Sequence, residues 1–404
     1  MLRTRRTVSS SLQRDAKRLG ALALALGASG SRVEDIYWEN QLADQIRKLL
    51  RQQQDEALEH ALDELAQSDT NAYEVLIELI ETHSESGTVT GPDGQPWDAL
   101  LIVAPLAAWT RYSIFSGPLT APAHARLQQA LHTDILAPDA RLALLPALFS
   151  MDQMPRSFSE TWRWMQNLAQ QAVQGSEVHL QDYLLSEQVE TAPMLADTRY
   201  LVGVVAAPAG APLFRWQEDG GRPEASRGNS LEQWIAHTHE AFSELLPGCA
   251  FECILPDAYY VSNREADKTI RPLTLQAALS WLQESMDMPA ETLRAVIAGC
   301  GESRIEEYRI GLTAKQSNDV IYGCMWPLFG PEVAIQAIDD GAETVAQISE
   351  LLRRSGVREI RRIPGLLAPE HCEDCGAPYF PNPQGELVHP EMPEEVPSAP
   401  ALFH

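Results

Sequence analysis

The chain has 404 residues, 45% of them hydrophobic, and a formal net charge of −25 with a pI near 4.7. That apolar content supports a large core and excludes a disordered chain, and the length exceeds the roughly 250 to 300 residues at which single cores stop growing, so two or three domains are expected. An acidic surface repels a phosphate backbone, which argues against general DNA or RNA binding.

Basic groups concentrate at the start, where Arg3, Arg5, Arg6, Arg14, Lys17 and Arg18 stand against the single acid Asp15. Such an arm suits an acidic partner, a membrane surface or the protein's own acidic body. No apolar run reaches the roughly 18 residues a bilayer span needs. Arg5-Arg6, the apolar stretch 19–28 and Ser29-Gly30-Ser31 outline a twin-arginine export signal, which would make the protein periplasmic. Against this, Leu12, Ala16, Leu19, Ala23 and Leu26 recur at helical spacing and Asp15 interrupts the basic region. A retained amphipathic helix that stops at 27–30 is the favoured reading.

Residues 12–85 read as helical throughout: Leu42, Ile46, Leu49 and Leu50, then Leu58, Leu62 and Leu65, then Tyr73, Leu76, Ile77 and Ile80 mark apolar faces at three-four spacing. Ser68-Asp69 suits an N-cap, and residues 84–96, rich in glycine and proline, read as a linker. Beyond Trp97 strand-like runs alternate with amphipathic helices, the pattern of an α/β domain. A weak internal repeat is visible there. Strands at 100–106, 200–208 and 294–301 are each followed by a hydrophobic-proline step, at Leu145-Pro146, Leu255-Pro256 and Trp326-Pro327. Proline suits a strand end or edge. Helices at 159–171, 273–284 and 331–354 complete three β-β-α-like units, the third opening on Gly330-Pro331-Glu332. Residues 218–230 and 262–270 read as polar loops, and the proline-rich acidic end from Pro390 as disordered.

Chemistry-bearing motifs are sparse. No P-loop, G-x-S-x-G or H-E-x-x-H occurs, and Gly299-Cys300-Gly301 lacks the third glycine of a dinucleotide fingerprint and reads as a hairpin turn. His237 and His239 fall on opposite flanks of one helical face and cannot share a metal. The adjacent acids Glu306-Glu307 and Asp339-Asp340 read as solvated surface, Asn318-Asp319 as a turn, and the tryptophans at 162, 164, 234, 281 and 326 as core. Six cysteines form no disulfide framework, which points to a reducing cytoplasm; Cys249, Cys253, Cys300 and Cys324 sit in apolar segments as small hydrophobes.

The exception is Cys372 and Cys375, a C-x-x-C pair with glycine directly after the second thiol, a knuckle that suits tetrahedral zinc. A ribbon would need a second such pair, and a finger another histidine beyond His389. His389 lies past the turn 382–385, so a returning strand at 386–388 could bring it back as third ligand. For the fourth, His371 is preferred to Cys300, His404 or water. Redox chemistry is disfavoured, because Glu373 and Asp374 between the sulfurs oppose thiolate formation.

The segments LALALGASGSRVEDIYWE at 22–39, NDVIYGCMWPLFG at 318–330 and CEDCGAPYFPNPQGELVHPEMPEE at 372–395 make the chain resemble an uncharacterised beta-proteobacterial family, known as a domain of unknown function. The resemblance spans most of the chain and implies no reaction, substrate or catalytic residue, only a ligand role for Cys372, Cys375 and His389; His371 is not tied to the family pattern. It also implies that the helix at 19–30 belongs to the mature protein.

The expectation is a mixed α/β protein: a helical N-terminal domain (1–85), a linker (86–97), an α/β body (98–290), a third α/β unit (291–366), a zinc-knuckle-like clasp (367–392) and a disordered tail (393–404). A non-enzymatic cytoplasmic binding or regulatory protein with structural zinc, and with a protein partner or a second copy of itself, is the leading reading. The alternative is a metal-assisted hydrolase or transferase with a pocket between the α/β units.

Overall fold

A computed structural model of the chain describes residues 10–110, 113–183, 196–221, 226–302, 304–329, 332 and 341–391. The first element, helix α1 (Ser10–Gly27), buries Ala16, Leu19 and Ala23 completely, the face its periodicity marks. It packs with α2 (Arg32–Arg51), α3 (Asp55–Ser68) and α4 (Thr70–Glu85) around one apolar core. Side-chain caps start two of these helices, Ser31 accepting from Glu34 N and Asp69 from Ala72 N. The expected four-helix region is thus present. No helix among the described residues is long and apolar enough to cross a membrane.

Residues 86–97, expected as a linker, instead form strand β1 (Ser86–Thr90), a turn and the first residues of β2 (Pro96–Trp109), paired antiparallel from Ser86↔Leu100 to Thr90↔Pro96. The glycines and prolines mark a hairpin turn here. The first sheet runs β1-β2-β5-β4-β3, with β5 (Ala196–Pro208) beside β2, then β4 (Arg141–Ser150) and β3 (Gly117–Pro118). Two short strands, β6 (Ala250–Cys253) and β7 (Asp257–Ala258), pair with β2 as well. Helices cover both faces. Alternation along β2 sends Trp97, Ala99, Leu101 and Val103 to the side of α6 (Phe158–Gln174), and Ile102, Ala104, Leu106 and Ala108 to the side of α5 (Ala121–Ala130) and α7 (Arg227–Leu245). Double burial explains why these strands read as nearly continuous apolar runs.

The repeat-like units are not equivalent. The strands of the first two share this sheet, while the third builds a separate sheet, β10-β9-β8-β11, from β8 (Leu293–Cys300), β9 (Glu307–Ala314), β10 (Val320–Pro327) and β11 (Glu359–Leu367). Among the described residues only the pairing of β11 with β8 is parallel. Of the proline steps, Pro327 ends its strand, Pro146 falls at a register irregularity within β4, and Pro256 lies between β6 and β7. The returning strand is as expected, with β9 antiparallel to β8, but Gly299 and Cys300 still belong to β8, opposite Tyr308 and Glu307, so the turn begins only at Gly301.

Helix α8 (Tyr259–Ser285) joins the two sheets. Tyr259 and Ala266 pack on the first, while Leu275, Ala278, Leu279 and Leu282 pack on the second. Its first half is the 262–270 segment expected as a loop. Partners elsewhere and along the helix hold its polar side chains: Arg264 Nη1 lies 2.8 Å from both Glu81 oxygens, Ser262 Oγ donates to the Val103 carbonyl at 3.0 Å, and Lys268 meets Glu265 at 2.7 Å. A last helix, α9 (Ala342–Arg354), closes the second core with Ile348 and Leu352. The expected start of a helix at 330–331 lies outside the described residues, as do the N-terminal arm to residue 9 and the tail from 392. Of the polar stretch 218–230, residues 215–221 form a short 3-10 turn and α7 begins at Arg227, capped by Ser226, while residues 222–225 lie outside the described set.

Candidate metal centre

The segment after β11 folds against the face of the second sheet that its helices leave open. Its turn is shaped by glycine: Gly376 takes φ +74°, its N–H donates to the Cys372 carbonyl at 2.9 Å, and Cys372 N–H donates to the Ala377 carbonyl at 2.8 Å. Both thiols thereby leave the same knuckle. The chain then forms a small hairpin from β12 (Phe380–Pro381) and β13 (Leu387–Val388). Asn382 holds its loop, its side-chain oxygen accepting from Gln384 N at 2.9 Å and Glu386 N at 3.0 Å, while Gly385 turns at φ +88°. The returning strand delivers His389 to the thiols.

The ligand atoms of Cys372, Cys375 and His389 all lie within 4.8 Å of one another, and Cys375 Sγ is 3.2 Å from His389 Nε2. Tetrahedral ligands of a single zinc ion stand about 3.5 to 3.8 Å apart, so this donor set of two sulfurs and one imidazole fits that geometry with small adjustments. His389 Nδ1 is 2.8 Å from the Pro390 carbonyl; as a donor there, it leaves the Nε2 lone pair facing the thiols. The Tyr379 hydroxyl lies beside Cys372, and that hydrogen bond holds the phenol above its ordinary range. His371 is placed differently. It bridges to Pro378 across the knuckle, is exposed, and is not in the group that converges. Cys300 is fully buried in β8.

What anchors the clasp was not read from the sequence. Arg309 on β9, fully buried, pairs through Nε with Glu307 at 2.6 Å and donates through Nη1 to the Glu370 and Tyr379 carbonyls at 2.6 and 2.8 Å. Gly311 and Gly323 are cross-strand partners. A Cβ on Gly311 would fall on the Pro381 carbonyl, and one on Gly323 on the Phe380 ring, so the two glycines form a bare floor that receives β12. Glu391 N–H ties the far end to the Val320 carbonyl at 2.8 Å. A glycine on each of two neighbouring strands was the only available signal.

The remaining cysteines and the histidine pair at 237 and 239 lie apart from this centre. Burial pushes the thiols of Cys253, Cys300 and Cys324 up to about 12, 11 and 12, so they are protonated and inert at neutral pH. His237 meets the buried Asp134 at 2.9 Å, while His239 lies beside the Phe251 ring, so the two histidines are separated as expected. Trp164, Trp234 and Trp326 are buried in the cores and Trp162 and Trp281 partly so. Among the described residues, one surface concavity of about 310 Å³ lies at Asp44, Arg47, Lys48, Arg51 and Gln52, and another of about 550 Å³ at Gly301, Glu302, Leu366, Ala368, Pro369 and Glu370.

A family model described as a protein of unknown function (DUF2863) matches residues 4–403. No curated protein and no solved structure matches the chain.

Proposed function

We propose that this chain, which belongs to the DUF2863 family of proteins of unknown function, is a non-enzymatic binding or regulatory protein whose C-terminal clasp is held shut by structural zinc. The observation that carries the reading is the convergence of Cys372, Cys375 and His389 on a segment with little apolar content of its own. Among residues 370–391 only Phe380, Pro381 and Asn382 are buried, too few to fold a separate unit. Metal binding then supplies the folding free energy that a core would. The remaining coordination position belongs to His371 after a small movement of the knuckle, or to water. Free thiols throughout favour a reducing cytoplasm.

A second reading, metal-assisted hydrolysis or group transfer, is favoured by two features: three converging ligands, as in catalytic zinc sites, and the groove that reaches the clasp at Glu370. Metal analysis with X-ray absorption, combined with hydrogen exchange, separates the two. Structural zinc predicts about one zinc per chain, and faster exchange across residues 368–391 after chelation. A turnover activity lost on chelation with exchange unchanged would overturn it.

A further inference from the structure

Among the described residues, nine large hydrophobic side chains are exposed, and four of them, Leu24, Val33, Ile36 and Tyr37, cluster at one end of the α1–α2 hairpin. Their exposures are 44, 81, 45 and 57%. The contacts of Asp15 with Gln45 at 3.1 Å and Lys48 at 3.8 Å set the antiparallel register, which puts Leu24 level with residues 36–39. The buried residues of α2 begin only at Leu42, so its first turns run beside the end of α1 with most of their surface uncovered. Apolar side chains gathered in one exposed patch are costly in water and mark a contact surface.

The same helix carries its complement at the other end. Val33, Tyr37, Asn40, Asp44, Arg47 and Arg51 follow one another at three or four residues along the face opposite the buried stripe. The tip is acidic, with Glu34, Asp35 and Glu39 against Arg32, and the last turns are basic, with Arg47, Lys48 and Arg51 against Asp44. The basic end is also hollow, being the site of the 310 Å³ concavity. A helix of 20 residues spans about 30 Å, so the apolar tip and the basic hollow are roughly 20 Å apart.

We propose that this face binds a second copy of the chain, α2 against α2 across a two-fold axis. Antiparallel pairing centred near Leu42 puts Val33 of each copy level with Arg51 of the other, Tyr37 level with Arg47, and Asn40 level with Asp44. Each acidic, apolar tip enters the basic hollow of its partner, with the Tyr37 ring available to the Arg47 guanidinium. The pairing is isologous and closes at two copies. Charge complementarity selects the second copy over an unrelated partner, since the hairpin carries both halves of the match in the arrangement a two-fold axis requires. The surface lies on the first helices and does not depend on the clasp.

Light scattering after size exclusion, on the full chain at about 50 µM in low salt, tests this. A particle of twice 44.7 kDa is expected. Val33→Glu and Tyr37→Glu should each give monomer with an unchanged far-ultraviolet circular dichroism spectrum, because both side chains are exposed. Arg51→Glu should weaken the dimer about 10-fold or more, and adding Glu34→Lys should restore it. A monomer under these conditions overturns the proposal, as does a dimer that both tip variants leave intact.

Discussion

Gly323→Ala tests the glycine floor directly. A Cβ at this position meets three atoms of the Phe380 ring at once, so turning the ring does not clear it, and the ring must rise by about 1.5 Å to reach ordinary carbon contact. Phe380 is 4% exposed and is the largest apolar group the clasp buries. Burying a phenylalanine contributes about 1.5 to 3 kcal/mol, of which the lower chain entropy of alanine returns roughly 0.5 to 1 kcal/mol. A net loss of about 1 to 2 kcal/mol, confined to the clasp, raises its opening roughly 5- to 30-fold. Hydrogen exchange of residues 370–391, followed by mass spectrometry on metal-loaded protein, reads this quantity. Gly20→Ala serves as control, since nothing lies within 4 Å of a Cβ there. The helices of the first bundle should exchange as before, because opening of the clasp is a local event. Exchange in 370–391 within twofold of the parent would refute the floor.

Cys372→Ser should abolish stoichiometric zinc and speed exchange across the same residues, checked by metal analysis and mass spectrometry; retained zinc would exclude the thiol as a ligand. Glu85, whose carboxyl is pushed up to about 7 by burial against the pull of the Tyr260 N–H, gives a pH-dependent prediction. The folded chain keeps this proton above 4.5, where the unfolded carboxyl loses it, so its contribution to stability falls as pH rises from 4.5 to about 7 and then levels off. Glu85→Gln should therefore gain on the order of 2 kcal/mol over the parent at pH 8, discounted for partial solvent contact, and little at pH 4; equal urea midpoints for the two proteins at pH 8 would contradict it. Asp55, the first residue of α3, also caps α6, accepting from Ser159 N at 2.9 Å and from the Ser157 hydroxyl at 3.2 Å. Asp55→Ala should cost about 1 kcal/mol, with faster exchange in the first turn of α6, and unchanged exchange there would remove the contact.

Much of this architecture follows from the sequence alone, and what it determines is local. Helical periodicity marks the apolar faces of α1 to α4, and buried Leu19, Ile46, Leu58 and Ile80 lie on them. The C-x-x-C spacing and the turn at 382–385 bring Cys372, Cys375 and His389 together, because both are short-range devices in which a glycine or asparagine sets the backbone. Tertiary structure decided the rest. Residues 262–270 are helical, and Glu81 and the Val103 carbonyl, far away in sequence, hold Arg264 and Ser262 there. The strands divide between two sheets, and the 86–97 segment pairs, according to partners that composition does not reveal. Arg309, Gly311 and Gly323 acquire their meaning only once β9 and β10 lie side by side under the clasp, since hydrogen bonding and close approach between distant segments leave no period in the chain.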